Sequence, residues 1–530
     1  MTQSETGAAP TPSRGRIVML VDNSVTNDSR VQKAAHSTAE AGWEVHLIGS
    51  TGAPKARTWT LGKAKVRLVP VKATLKGHPR TWIRAQLRRP LAYRDAEAAA
   101  YRRKLVQARR SDLAANRLAR QAGLRTPPGA WLLLRRVVTR LQDRWVALRE
   151  RQTRSLAAAR SNLDSPLDRL TVRFWQMLLG DRCWRVLDRN LWDWELAYGK
   201  VIDKLQPDII HANDFRMVGV GARAVLRARA KGRDIKLVWD AHEFLPGMGS
   251  WVADPRWLPA MVAAEREYSG LADEVVTVSE PLVDLLVEHH GLRQRPTVVL
   301  NAPLIGGTAE KGDADETRSV PDLRELCGIG PDTPLGVYSG VASPKRGLGV
   351  MVEALPKLPD LHVAFVVNGP KGKYVQELRA RAEELGVADR ISVLGYVPFD
   401  QVVEFLSAAD FGVQPLQQGL PNHEIALSTK FFEYSHARLP IIVSDVKAMG
   451  GTVRSTGQGE VFRAGDVADY IRAVEAVLGD LDRYRGVYDS RPDLLHQWTW
   501  AAQAEILNGV YSRLLSQAPA ATAAPATSTV

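Results

Sequence analysis

The sequence predicts an α/β protein built from two doubly wound domains. Three observations carry this. Apolar runs of strand length recur with helix-length gaps between Arg16 and Leu300, and again between Leu335 and Ser444. Most of these runs are continuous rather than alternating, as in parallel strands covered on both faces. The chain of 530 residues also exceeds what one ordinary core accommodates.

The opening run, Arg16 to Val21, reads as a first strand, followed by a polar loop from Asp22 to Asn27. Asp28 is placed to cap a helix that starts near Arg30 and stops at Gly42. Trp43 to Ile48 then completes a βαβ opening, with a further strand near Val66–Val71. Residues 80–195 read as helices interrupted around Pro127 and Pro166. Alternation resumes with strands at Asp208–His211, Lys236–Trp239, Glu274–Val278 and Thr297–Leu300. A Gly-, Asp- and Thr-rich stretch over 304–320 reads as a linker. The second domain takes its strands from Leu335–Tyr338, His362–Val367, Ile391–Leu394, Phe411–Gln414 and Ile441–Ser444. The expected division is a disordered 1–14, a first domain over 15–303 with an insertion at 80–195, and the linker. A second domain over 321–497, a helix over 498–517 and a disordered tail over 518–530 follow.

Hydrophobic content of 45% and charged content of 24% suit a soluble globular chain. The two cysteines, Cys183 and Cys327, form no CxxC and have no nearby His pair. A disulfide framework and a zinc site are therefore not expected, and a reducing compartment is. The polar N-terminus lacks a signal-peptide core, and no stretch approaches the ~20 apolar residues of a membrane span. The expected location is the cytoplasm, with peripheral attachment at the inner face of the membrane as a further option.

Positive charge is concentrated in one segment. Between Lys76 and Arg189 there are 27 Lys and Arg against 9 Asp and Glu, an excess larger than the whole chain's +13. Trp82, Trp131, Trp145, Trp175 and Trp184 lie in the same segment. One reading is a solvated Arg-rich insertion whose tryptophans pack inward. Another is a surface for anionic membrane or a lipid-phosphate acceptor. Nucleic acid would gain only non-specific attraction, since no recognition module is visible.

The most telling segment is Ser428-Thr429-Lys430-Phe431-Phe432-Glu433-Tyr434, followed by Leu439-Pro440 and the run Ile441–Ser444. Lys430 and Glu433 are three apart and share a helical face. The helix start at Ser428 and Thr429 offers N–H groups to a diphosphate. Glu433 can accept hydrogen bonds from ribose hydroxyls. A second loop, from Ser339 through Gly340, Val341, Lys345, Arg346 and Gly347, combines glycines with adjacent cations. Such a loop lets backbone approach phosphates and neutralises them. In the first domain, Asp240-Ala241-His242-Glu243 lies at a strand end. A neutral imidazole there can hydrogen-bond a sugar hydroxyl. Gly219 to Ala224 fits G-x-G-x-x-A but falls inside a helix, so its small residues read as packing rather than as a dinucleotide fingerprint.

These elements resemble the family 4-like retaining glycosyltransferases of the GT-B fold, over about 15–75 and 200–515. Ser428–Tyr434 resembles that family's nucleotide-binding segment. The 340–349 loop is similar to its G-R-x-x-x-x-K-G element. There Arg346 matches the Lys position, Val341 stands where Arg is usual, and Lys345 is an alternative source of the second cation. Glu433 matches the distal carboxylate of a spaced pair. The strict proximal position is Ile425, and Glu424 fills that role if the loop bulges by one residue. The resemblance implies that backbone near Tyr396 meets the base. Asp240–Glu243, His211–Asp214 and Asn27–Val31 resemble acceptor-side motifs of a subgroup, which brings in Asn27, Asp28, Arg30, Asp214 and Glu243 beside His242.

The resemblance further implies two Rossmann-like domains facing a cleft, a UDP- or GDP-sugar donor, and retention of configuration. It implies no metal and no cofactor. The expected acceptor is a glycan, a lipid-linked or a small molecule. A catalytically silent scaffold and a GT-B sugar-nucleotide epimerase are the alternatives.

Overall fold

The computed structural model describes residues 14–26, 28–75, 85–121, 127–161, 165–249, 254–305, 320–398 and 401–516. Asn27, residues 1–13, most of the expected linker (306–319) and the expected tail lie outside the described residues. The chain divides into two compact units. One comprises Met1–Ala73, Asn190–Gly249 and Met261–Val530; the other comprises Thr74–Arg189 and Ser250–Ala260.

The first unit contains two sheets. Eight strands form the first: β1 (Arg16–Leu20), β2 (Glu44–Thr51), β3 (Arg57–Leu61), β4 (Ala64–Pro70), β5 (Ile209–Asn213), β6 (Lys236–Ala241), β7 (Glu274–Thr277) and β8 (Thr297–Val298). Their order is β3-β4-β2-β1-β5-β6-β7-β8, parallel throughout except for the β3–β4 hairpin. The second sheet holds β9 (Leu335–Gly340), β10 (His362–Val367), β11 (Ile391–Leu394), β12 (Phe411–Gln414), β13 (Ile441–Ser444) and β14 (Gly459–Phe462). It is all parallel, in the order β11-β10-β9-β12-β13-β14. Strand order reverses between β1 and β5 in one sheet and between β9 and β12 in the other. Crevices open at such switch points, at the carboxyl ends of the strands.

The expected strands are present, and two more were not anticipated. β3 and β14 lie at sheet edges and are largely exposed or half-buried, so neither shows the continuous apolar run that marks a covered strand. Gly221 of the decoy motif packs within its helix, Asp214–Arg229, against Leu237 and Ile210, which confirms a packing role.

The final helix, Trp500–Ser516, belongs to the core of the first sheet. Trp500, Leu507, Val510, Tyr511 and Leu514 are buried with Ile17, Val31 and Leu47. The Trp500 indole N–H donates to the Lys33 carbonyl and the Ser37 hydroxyl on helix Ser29–Glu40. Lys33 is itself buried, its amine over the Trp500 ring and donating to Asn301 Oδ1. Burial pushes that amine down to about 7.

The second unit is helical. Helices Ala96–Gln121 and Gly129–Ser161 pair antiparallel through Arg103–Glu150, Arg109–Gln142 and Arg110–Asp143. Helix Pro166–Leu179 starts in a capping box between Ser165 and Asp168. Trp184 is fully buried, but Trp131 and Trp145 are exposed. The inward packing expected of the tryptophans therefore fails for those two.

Candidate functional site

Helix Thr429–His436 is set by its apolar residues. Phe431 and Phe432 pack edge-on against Trp498, and the Tyr434 ring lies over Gly412 of β12, where a Cβ would meet it at 2.5 Å. The Tyr434 hydroxyl accepts the Ser339 N–H at 2.7 Å, joining this helix to the end of β9. Ser428 caps the helix by accepting from Phe431 N–H. These anchors aim the first turn at a cavity of about 600 Å³ beside the switch point of the second sheet.

Ser428, Thr429, Lys430, Glu433, Gly340, Arg346 and Tyr396 all line this cavity. Glu433 is 3% exposed, and Lys430 Nζ lies 2.9 Å from its Oε2. Burial raises the Glu433 carboxyl above its ordinary range, with Lys430 and Lys33 opposing. Tyr396 is 66% exposed and offers an aromatic face at the rim. Gly340 and Gly347 both have positive φ. A Cβ on Gly347 would meet the Pro415 carbonyl at 2.0 Å, so the cationic loop sits directly on the end of β12.

Several expected residues stand elsewhere. Gly347 and Lys345 are not among the lining residues. The cavity's cations are Arg346 and Lys430, and Val341 lines it where a second loop cation was sought. Glu424 does not reach the cavity. No bulge presents it: it ends the short helix Pro421–Glu424, and its carboxylate accepts from Gly419 N–H and Lys447 N–H. The strict proximal position, Ile425, is buried, and its carbonyl accepts from Ser279.

The acceptor-side group forms a charge cluster at the carboxyl ends of β5 and β6. Arg30 is buried and forks onto both Asp240 oxygens, at 2.9 and 3.0 Å. His242 lies between Asp240 Oδ2 at 3.3 Å and Asp214 Oδ1 at 3.1 Å. Burial alone would lower the imidazole, but Asp214 and Asp240 outweigh it and hold His242 well above its ordinary value. The imidazole also lies against Arg30, whose Nε is 3.2 Å from its Nε2, so it sits among both carboxylates and a guanidinium rather than free at the strand end. Burial would likewise raise Asp240, yet Arg30 and His242 hold it well below the usual range. Asp28 caps its helix and accepts from Asn23. Asp214, at φ 62, is committed to His242. Of the described acceptor-side candidates Glu243 alone keeps a solvent-exposed surface; the protein crowded around its carboxyl and the Asp214 charge still raise it, with His242 and Arg346 opposing.

The first domain contributes Thr26, Ser29 and Gln32 to the cavity, and the second adds Asn368 and Gln414. Of these only Ser29 falls within a motif named from sequence, Asn27–Val31. Asn368 and Gln414 close or follow the apolar strands β10 and β12, and that strand-end position was the available signal. Among the described residues no cluster of His, Cys, Asp or Glu suits a metal ion. No described helix is long and apolar enough to cross a membrane.

The chain is similar to known proteins in sequence and in fold. The family described as Glycosyl transferases group 1 matches residues 321–487, and Glycosyltransferase Family 4 matches 181–302. A D-inositol 3-phosphate glycosyltransferase of Nocardia farcinica is 25% identical over 303 residues, 52% of this chain and 66% of its own length. A GDP-mannose-dependent alpha-(1-6)-phosphatidylinositol monomannoside mannosyltransferase of Mycolicibacterium smegmatis is 28% identical over 211 residues, 37% of this chain and 54% of its own. The chain thus spans between about half and two thirds of these relatives. Sucrose-phosphate synthase from Thermosynechococcus elongatus superposes with a TM-score of 0.59 at 14% identity, covering 95% of this chain and 100% of that one. The Anabaena protein HepE in complex with UDP gives 0.54 at 13% identity, covering 94% and 100%. Both domains of the first unit are accounted for in this way, and the chain belongs to the family 4-like glycosyltransferases of the GT-B fold.

Proposed function

We propose that this glycosyltransferase moves a hexose from a UDP- or GDP-sugar to a glycan, lipid-linked or small-molecule acceptor, with retention of configuration. The observation that carries the reading is the single cavity lined by Arg346, Lys430, Gly340 and buried Glu433. Arg346 and Lys430 supply positive charge where a leaving diphosphate develops negative charge, the electrostatic task a metal performs elsewhere. Glu433 accepts ribose hydroxyls, which would favour its ionised form against burial. Tyr396 offers its face to the base. Front-face attack, with the leaving phosphate taking the acceptor proton, suits a site whose proximal position holds Ile425 and whose Glu424 is held by backbone N–H groups.

Thermal-shift titration with UDP and GDP, followed by their sugars, is the first test. The relative named as GDP-mannose-dependent supports placing GDP-mannose in that screen. Glu433→Ala should weaken nucleotide binding and transfer together; unchanged donor affinity would sink the assignment. Val341 at the cavity and the absent proximal carboxylate favour a second reading, a nucleotide-binding scaffold without turnover. Hydrolysis of any nucleotide sugar by the purified chain excludes it. Product analysis without acceptor separates epimerisation from transfer.

A further inference from the structure

The helical hairpin of the second unit has a polarised tip. From Leu113 to Gln142 the sequence holds six Arg and no Asp or Glu. Asp112 and Asp143 flank this stretch, Asp143 pairing with Arg110, and Glu150 sits further back against Arg103. Between the two helices at the tip lies a cavity of about 970 Å³. Arg110, Arg117, Arg120, Arg136 and Arg140 line it, and Leu113, Leu118, Leu132 and Leu133 supply its apolar wall.

The outer face of helix Gly129–Ser161 is apolar where it should be polar. Leu133 and Leu134 are each 64% exposed, and Val137, Leu141 and Trp145 continue the row at helical spacing. The Arg135 guanidinium stacks over the exposed Trp131 ring at 3.9 Å. A patch of this kind is costly in water. Guanidinium groups beside leucines and an interfacial tryptophan match a boundary where phosphate meets hydrocarbon. A nucleic acid would use the arginines but gain nothing from the aliphatic row.

We propose that the hairpin tip docks on an anionic lipid bilayer, with a lipid phosphate held in the arginine-lined cavity and the Leu133–Leu141 row entering the acyl boundary. This narrows the membrane expectation for the basic segment to one pocket and one helix face. It is independent of the sugar-transfer reading, because none of its residues lines the donor cavity.

The test is co-sedimentation of the full chain with phosphatidylcholine vesicles, with and without phosphatidylglycerol. Binding should require phosphatidylglycerol and fall as salt is raised. Arg136→Gln with Arg140→Gln should weaken it roughly thirtyfold. Leu133→Ser with Leu134→Ser should weaken it while the salt dependence persists. Circular dichroism and the nucleotide thermal shift of both variants should match the parent, which separates a docking defect from misfolding or a donor-site defect. Equal binding to neutral vesicles, or binding untouched by both pairs, overturns the proposal. So does a chain that ignores vesicles but binds duplex RNA, pyrophosphate or a second copy of itself through the same arginines.

Discussion

The two sheets of the first unit carry charge at corresponding strand ends, and they use it in opposite ways. At the ends of β5 and β6, Arg30, Asp240, His242 and Asp214 satisfy one another. At the end of β9 and the start of helix Thr429–His436, Arg346 and Lys430 line open volume. The first arrangement is closed and holds its domain together. The second borders open volume: Lys430 is paired with Glu433, and both line a cavity together with Arg346. A charged motif at a strand end is therefore better judged by the open volume it borders than by whether it is already paired.

The sharpest way to break this contrast is Asp240→Asn. It leaves Arg30 and His242 buried without their shared carboxylate and should cost about 3–5 kcal/mol of stability, read from urea unfolding. A mild effect would mean that the cluster is not closed. Glu433→Gln should instead leave unfolding nearly unchanged and weaken nucleotide binding by about 1.5–3 kcal/mol, measured calorimetrically. Gly347→Ala tests the donor loop's backbone. At φ 73 and against the Pro415 carbonyl, it should cost about 1–3 kcal/mol and lower donor affinity, whereas Gly479→Ala, with nothing near its Cβ, should do neither. The smallest effect is in pH. His242 binds its proton more tightly folded than unfolded. Its contribution is fully present below about pH 6.5 and is lost as pH rises through its elevated value. His242→Gln should flatten that part of the urea-midpoint profile.

The cavity residues of the second domain were legible because their signal is local. Lys430 and Glu433 are three residues apart on a helix whose Phe431, Phe432 and Tyr434 dictate which face is left open. The first domain was less legible because its charges meet across long separations. Arg30 finds Asp240 210 residues away, so its loop read as acceptor-facing while its side chain turned inward. From the same stretch Thr26, Ser29 and Gln32 line the cavity, while Asp28 caps its helix and Arg30 turns inward. Glu424 failed for a local reason, two backbone N–H groups that fix its carboxylate away from the cavity. The edge strands β3 and β14 escaped notice because a strand without two covered faces lacks the apolar run that reveals it.

The helix Trp500–Ser516 has a consequence for the order of synthesis. Its Trp500, Tyr511 and Leu514 complete the core around the first sheet, whose earliest strand begins at Arg16. During translation that sheet must wait for nearly the whole polypeptide to leave the ribosome before its core closes. The second sheet, with its strands between Leu335 and Phe462, waits almost as long, since Leu494 and Trp498 belong to its core. A nascent chain stalled before Leu494 would therefore leave the apolar faces of both sheets for a chaperone to cover.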